Sequence, residues 1–179
     1  MDCVWVHNFK KGGEELLSMR SWTYSGTFLS IILLANIRGT ALTQPSESKS
    51  CQEVVSELNQ SLSPKIDETE LVSVLRTLNG TRNKRLPAKF ITKKQAQKMG
   101  WRPGRNLWNS KDLVGKSLGG DVFSNREGRL PDSRRVWREA DLDYKGGRRG
   151  PKRLIYSDDG LRSITIDHYN TFKVVPPCE

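Results

Sequence analysis

Residues 116–131 read KSLGGDVFSNREGRLP, and residues 136–144 read VWREADLDY. Successive side chains of an extended chain point to opposite faces of a sheet. In the second stretch, alternation places two sets on opposite faces: Trp137, Glu139 and Asp141 on one, and Val136, Ala140 and Leu142 on the other. The second set is apolar and is predicted to face the core. These two stretches therefore predict neighbouring strands, with Glu139 in mid-strand on the open face.

Further short segments of the same kind surround this pair. Segments rich in β-branched and aromatic residues alternate with Gly, Pro, Asp and Asn, which is typical of antiparallel strands and turns. Five strands are predicted: SLGGDVF, RVWREADL, KRLIYS, LRSITI and TFKVV.

Helical patterns come before the strands. Apolar residues recur with helical spacing in two stripes between residues 51 and 80, interrupted by Pro64, and Gly80 is a plausible end. Thr92 and Gln95 form a capping box that predicts a short helix running to Gly100. Helices followed by a meander indicate an α+β fold, with N-terminal helices packed on a five-stranded antiparallel sheet.

The chain is basic throughout. It has 179 residues and a net charge of +10, enough length for one domain with extensions. A positive charge of this size favours phosphate polyanions or anionic membrane surfaces as partners. A soluble surface that is simply basic is an equally good interpretation, so charge alone does not decide the function.

The N-terminal segment has the order of a signal peptide. Arg20 precedes the apolar run 28–35, and Gly39, Thr40 and Ala41 offer small residues for cleavage. We predict a leader over residues 1–41 and a secreted protein, with Met19 as an alternative start that would exclude residues 1–18; a buried helix or an anchor is the other interpretation. Removing the leader takes four of 30 basic and three of 20 acidic residues, so the rest keeps a net charge of +9.

Two cysteines remain after such a cleavage, Cys51 and Cys178. Cysteines of an exported chain usually pair, and we expect a disulfide here, with two free thiols as the alternative. His7 and His168 are the only histidines, and no cysteine pair has the spacing of zinc ligands. The sequence therefore predicts no metal site and no cofactor.

Two residues are candidates for acid–base chemistry. His168 lies in the polar turn 167–170 between two predicted strands, where a ligand can reach an imidazole. Histidine side chains titrate near neutrality and can protonate a leaving oxygen. Glu139 is either a general base standing in a groove or an exposed charge paired with arginine. Taken alone, each residue is more often an ordinary surface group.

The order of the segments adds a resemblance. Five blocks follow one another: FITKKQAQKMGW (90–101), KSLGGDVFSNREGRLP (116–131), VWREADLDY (136–144), RLIYS (153–157) and DHYNTF (167–172). This series resembles the barnase-type guanyl-specific bacterial ribonucleases from about Leu86 to Val175. The resemblance implies a ribonuclease domain over residues 67–179, preceded by a linker and extra helix over residues 42–66.

The resemblance also implies roles for particular residues. Glu139 would be the general base and His168 the general acid of phosphodiester cleavage. Three cations would hold the scissile phosphate: Lys93, Arg149 and Arg153. A guanine-reading loop would consist of Phe123, Ser124, Asn125, Arg126 and Glu127, with Tyr169 beside the substrate.

The implied activity is guanyl-preferring, metal-independent cleavage of single-stranded RNA by a monomer without stable membrane association. The resemblance further implies an acidic, barstar-like inhibitor as a partner. Two alternatives are a non-catalytic RNA-binding module and an antibacterial toxin delivered to competing cells. A membrane-active protein would need a long basic amphipathic helix, which the sequence does not contain.

Overall fold

The computed structural model describes residues 48–131 and 134–179. Helices α1 (Cys51–Gln60) and α2 (Glu68–Gly80) come first. The side chain of Ser50 accepts a hydrogen bond from the Glu53 N–H, and Glu53 accepts one from the Ser50 N–H, which completes a capping box. The Asp67 side chain caps α2 by accepting a hydrogen bond from the Glu70 N–H in the first turn. The buried residues of the two helices, such as Val54 and Val55 in α1 and Leu71 and Leu75 in α2, confirm both predicted helical stripes.

The predicted capping box of the third helix is also present. Helix α3 (Lys93–Lys98) starts after Thr92, whose side chain and that of Gln95 cap each other's backbone N–H. The helix ends at Lys98, two residues before its predicted end at Gly100. Its first N–H donates to Asp121 Oδ2 at 2.9 Å, which ties the helix to the sheet. Two short 3₁₀ turns follow, Leu107–Asn109 and Lys111–Leu113.

One sheet contains six strands in chain order: β1 (Phe90–Ile91), β2 (Ser117–Val122), β3 (Trp137–Asp141), β4 (Arg153–Ser157), β5 (Arg162–Thr165) and β6 (Lys173–Val174). Strands β2 to β6 are the five predicted antiparallel strands. Strand β1 is an unpredicted parallel edge strand beside β2. It has two residues, too few for an alternating pattern.

A bulge in β2 explains its two consecutive glycines. The register shifts between Gly119, opposite Ala140, and Asp121, opposite Glu139. Gly120 has a φ of +92°, a conformation that glycine adopts without strain. A Cβ on Gly119 would lie 2.7 Å from a ring carbon of Phe90, so any larger side chain there would force its neighbours to shift. At Gly119, strand β2 therefore lies against the Phe90 ring of β1.

The main core lies between the helices and one face of the sheet. Buried side chains of α1 and α2 pack against Leu142, Leu154 and Ile164. On the opposite face, Trp137 and Ile155 form a smaller cluster with partly buried aromatic rings. The faces of β3 are therefore as predicted for Trp137 and Leu142. The prediction for Val136 is wrong: its side chain is 41% exposed, because it lies just before β3 begins.

A disulfide joins the two ends of the described chain. Cys51 and Cys178 are bonded with a Cα–Cα distance of 4.8 Å, which confirms the expected pair. Beside it, the Cys51 N–H donates to the Glu179 carbonyl at 3.0 Å, and the Glu179 N–H donates to the Lys49 carbonyl at 3.1 Å. The disulfide therefore lies where backbone hydrogen bonds also pair the two ends of the described chain, at the start of α1.

The predicted leader lies outside the described residues. Within residues 48–131 and 134–179, no helix has the length and apolar character needed to cross a bilayer.

Candidate active site

Glu139 occupies the middle of β3 on the face opposite the helices. Its side chain is 9% exposed, so it is not the solvent-exposed charge that the sequence left open. Lys93 Nζ, from the start of α3, donates to Glu139 Oε1 at 2.6 Å. The Tyr169 hydroxyl donates to Glu139 Oε2 at 2.5 Å. Two distant segments thus hold one carboxylate.

These contacts determine the protonation of the pair. Burial alone would raise the pKa of Glu139, but the hydrogen bonds from Lys93 and Tyr169 and the charges of Lys93 and Arg153 bring it below its ordinary value. Burial and the bond to Glu139 raise the pKa of Tyr169 to about 12. At neutral pH, Glu139 is therefore a carboxylate and Tyr169 a neutral donor.

Two of the predicted arginines converge on Asp141. Arg149 donates through Nε and Nη2 to the two oxygens of Asp141, at 2.5 Å and 2.7 Å. Arg153 Nε lies 2.8 Å from Asp141 Oδ1, and both of these side chains are almost fully buried. The bidentate bond to Asp141 raises the pKa of Arg149. Both guanidinium groups are thus fixed in position beside Glu139.

Asp141 was not predicted as a site residue. Alternation along β3 placed it on the same face as Glu139, two residues away, and this was the available signal. A buried carboxylate on a polar sheet face needs a cationic partner. A clamp of Asp141 by cationic side chains was therefore predictable, but not that Arg149 and Arg153 form it.

His168 lies in the turn between β5 and β6, as predicted. Its side chain is exposed, and its backbone N–H donates to the Pro151 carbonyl at 3.3 Å. The φ values of His168 and Tyr169 are +58° and +71°, in the left-handed region that side chains other than glycine rarely adopt. Their rings lie 4.9 Å apart, centroid to centroid. The turn therefore presents the imidazole beside the tyrosine that contacts Glu139.

Asp167 holds this strained turn together. Its carboxylate accepts from the Thr171 N–H at 2.9 Å, the Thr171 hydroxyl at 2.6 Å and the Thr165 hydroxyl at 2.8 Å. The bonds from Thr171, aided by that from Thr165, lower the pKa of Asp167 to about 2. The Tyr169 N–H donates to the same threonine, Thr165, at 3.0 Å. Neither Asp167 nor Thr165 was predicted as a site residue.

His168, Arg149 and Arg153 line one open cavity of about 660 Å³. Arg105 and Arg148 add two further cations to its wall, and neither was predicted as a site residue. The Arg153 guanidinium lies 5.9 Å from the centroid of the Tyr169 ring, which links this cavity to Glu139. Within residues 48–131 and 134–179, three or more metal-ligating side chains never cluster.

The predicted base-reading loop lines a smaller cavity of about 180 Å³ with Tyr169. Phe123 stacks on Tyr169, with ring centroids 5.3 Å apart and planes 27° apart. The Asn125 amide closes the loop, because it donates to the Leu130 carbonyl at 2.8 Å and accepts from the Leu130 N–H at 3.1 Å. Ser124, Arg126 and Glu127 are exposed at the cavity.

Arg129 joins this loop to the histidine turn. Its Nε lies 2.6 Å from Glu127 Oε2, and its Nη1 donates to the carbonyl oxygens of Asn170 and Tyr169. Arg129 was not predicted as a site residue, because one arginine among 30 basic residues carries no local signal. All predicted site residues except the cysteines thus lie on this face or in the loops at its edge.

Known ribonucleases are similar in sequence to part of this chain. A ribonuclease family profile matches residues 76–176, more than half of the chain. A ribonuclease from Bacillus intermedius is 49% identical over 112 residues, which cover 59% of this chain and 68% of that protein, and one from Bacillus pumilus gives the same figures. A ribonuclease from Heyndrickxia coagulans is 51% identical over 107 residues, 56% of this chain and 96% of that protein. The chain belongs to the microbial ribonuclease family and has its barnase-like α+β fold.

Proposed function

We propose that this ribonuclease cuts single-stranded RNA after guanosine without a metal ion. Glu139 takes the proton of the ribose 2′-hydroxyl, and the 2′-oxygen attacks the adjacent phosphorus. The bond from phosphorus to the 5′-oxygen breaks, and His168 gives that oxygen a proton. The product is a 2′,3′-cyclic phosphate, which the same pair hydrolyses slowly with roles reversed.

The environment of Glu139 supports its role as the base. Its lowered pKa keeps it ionised at neutral pH. Lys93 and Tyr169 each occupy one oxygen, but a carboxylate has about four acceptor positions. A 2′-hydroxyl can therefore donate to Glu139 while both partners hold its orientation.

The neighbouring cations support stabilisation of the transition state. Cleavage develops negative charge on the nonbridging phosphate oxygens, and guanidinium groups match such oxygens in geometry. Arg149 and Arg153 are pre-positioned by Asp141, so little reorganisation accompanies the reaction. The exposed imidazole of His168 shares their cavity and can reach a leaving oxygen there.

The smaller cavity supports recognition of guanine. Guanine has two adjacent N–H donors on its pairing edge, which the Glu127 carboxylate would accept, and backbone N–H groups of the loop would donate to its O6 atom. The stacked rings of Phe123 and Tyr169 form an apolar wall for the base. Because the pairing edge must be free, the substrate would be single-stranded.

One observation carries this proposal. Segments from five parts of the chain bring a buried carboxylate, its tyrosine and lysine partners, two clamped arginines and an exposed histidine to one face of the sheet. A surface that only bound RNA would need the cations, but not a buried carboxylate beside an accessible imidazole. The arrangement therefore favours catalysis over the non-catalytic alternative.

The test is cleavage of the dinucleotides GpA, ApA, CpA and UpA in EDTA by the folded protein. GpA should be cut preferentially, and His168→Ala and Glu139→Ala should each abolish cleavage; Lys98→Ala, on the exposed end of α3, is the matched control. Equal cleavage of all four would refute the base preference. No cleavage by the folded wild-type protein would leave the binding module as the better account.

We further propose that the protein is secreted after loss of residues 1–41. The disulfide supports this, since such bonds persist in oxidising compartments. The division into a linker with an extra helix (42–66) and a ribonuclease domain (67–179) belongs to the same proposal. A basic active-site face would also suit an acidic, barstar-like inhibitor. The N-terminus of protein recovered from the medium, read by mass spectrometry, tests the cleavage site.

A further inference from the structure

A second groove of about 570 Å³ lies beside α3, away from Glu139. Arg138 lines it and is adjacent to Glu139 along β3, so the two side chains point to opposite faces of the sheet. The segment 82–85, which follows α2, forms another part of the wall. We call this cavity the 82–85 groove.

The groove has an excess of positive charge. Arg82, Lys84, Arg85 and Arg138 line it, and among the described residues Asp158 is the one acidic side chain in its wall. None of these four cations forms an ion pair with another residue of the described ranges. Arg138 instead donates to the Gly120 carbonyl at 2.9 Å. The wall therefore lacks an internal counter-charge for most of its cations.

A buried arginine behind the groove adds to this excess. Arg162 is 7% exposed, and its Nε and Nη2 donate to Asn83 Oδ1 at 3.1 Å and 2.6 Å. No carboxylate of the described residues pairs with it. A guanidinium remains charged in proteins. Because Arg162 is bonded to Asn83, which lines the groove, its positive charge adds to that of the four cations in the wall.

The basic segment is held in a defined conformation. Arg82 and Asn83 have φ values of +51° and +59°, two consecutive left-handed residues. The N–H of Arg82 donates to the Asn79 carbonyl, that of Asn83 to the Leu78 carbonyl and that of Lys84 to the Thr81 carbonyl. Such strained conformations persist only where the surroundings enforce them, and they cluster at functional sites.

We propose that the 82–85 groove binds the phosphodiester backbone of the RNA substrate at a distance from the scissile bond. The inference rests on the proposed ribonuclease function. The N-terminus of α3 connects the two sites, because Thr92 and Gln95 line the groove while Lys93 contacts Glu139. An RNA strand that leaves the active site past Lys93 therefore enters a groove of cations.

The lining favours RNA over an acidic protein. Protein interfaces usually have aromatic or other apolar anchors at their centre. The apolar side chains that line the groove, Leu86, Phe90 and Tyr156, are half-buried or buried, and none of the exposed large hydrophobic side chains of the described residues lies there. A sugar–phosphate backbone needs only charge and hydrogen-bond donors, which the groove supplies.

The test compares two triple variants with the same loss of charge. The groove variant is Arg82→Asn, Lys84→Ser and Arg85→Ser. The control is Arg76→Ser, Lys98→Ser and Lys111→Ser, at exposed positions outside the groove. Circular dichroism checks the fold of each. Measurements are cleavage of GpA, cleavage of a single-stranded RNA of about twelve nucleotides with one guanosine, and binding of the uncleavable deoxy version at several salt concentrations.

The groove variant should cut GpA at the control's rate. For the longer RNA, its KM should exceed the control's by about tenfold, or about 1.4 kcal/mol. The slope of log affinity against log salt should be shallower by about 2, since each lost phosphate contact on a single strand contributes about 0.7.

Equal KM values and equal salt slopes for the two variants would overturn the inference, because net charge alone would then explain binding. Failure of the wild-type protein to cut GpA would instead refute the proposed function. In that event, binding of the deoxy oligonucleotide still decides whether the groove holds a phosphate backbone. The inference about the groove would also be overturned if the protein bound an acidic protein tightly but did not bind the oligonucleotide.

Discussion

The bridge between Cys51 and Cys178 provides the strongest prediction about stability. The two residues are 127 positions apart, so the bond closes a loop that contains most of the described chain. A cross-link of this span reduces the entropy of the unfolded chain, and the chain-entropy relation gives a stabilisation of about 5 kcal/mol. Both cysteines lie outside the residues that the ribonuclease family profile matches, so the bridge supplements the shared core.

The assay is unfolding in guanidinium chloride of three samples: oxidised protein, reduced protein and the Cys51→Ala, Cys178→Ala variant. Alanine is chosen because Cys51 is fully buried, where serine would add an unsatisfied hydroxyl. The free energy of unfolding falls by about 4 kcal/mol per molar guanidinium chloride for a protein of this size. A loss of about 5 kcal/mol in that free energy therefore lowers the unfolding midpoint by about 1.2 M. The reduced protein separates the cross-link from the cavity, since it keeps both sulfur atoms.

A midpoint for the reduced protein within about 0.3 M of the oxidised one would refute this reasoning. The cross-link would then not restrict the unfolded chain as the relation assumes, because residual structure would already bring the two ends together. Cleavage of GpA in buffer provides a second check. The bridge lies in the helix-side core, opposite the candidate active site, so the folded variant should cut GpA at the wild-type rate.

Three further changes test single contacts. Asp141→Asn should lower the free energy of unfolding by about 3 kcal/mol, because buried Arg153 loses its counter-charge; chemical denaturation measures this. Lys93→Ala should move the acid limb of the kcat/KM profile to higher pH, because Glu139 needs to be ionised and Lys93 helps to lower its pKa. Gly119→Ala should cost about 1–3 kcal/mol and lower Tm, because the new Cβ overlaps its neighbours.

Two of these changes have a matched control. Lys94→Ala removes an exposed lysine next to Lys93 and should leave the acid limb of the profile in place. A shift as large as that of Lys93→Ala would mean that net charge, and not the contact with Glu139, sets the pH of this limb. Gly150→Ala adds a Cβ where no atom lies within 4 Å and should be nearly neutral. A wild-type free energy of unfolding for Asp141→Asn would show that Asp141 does not neutralise the arginines.

The sequence by itself determined the parts that depend on near neighbours along the chain. Segments rich in β-branched and aromatic residues predicted the five antiparallel strands, and alternation along β3 put Glu139 on the face opposite the apolar residues Ala140 and Leu142. The capping residues Thr92 and Gln95 predicted where α3 begins. These features were readable because strand periodicity and helix caps involve residues within a few positions of each other.

Only the tertiary structure decided which distant groups meet. The parallel strand β1 needs β2 as its partner, and its two residues carry no pattern of their own. The clamp of Arg149 by Asp141, and the pairing of buried Arg162 with Asn83, depend on chain segments folded against each other. The sequence does not distinguish a charged side chain that is solvated from one that is buried and paired. Burial and partner, and therefore chemistry, are set by packing between segments far apart in the chain.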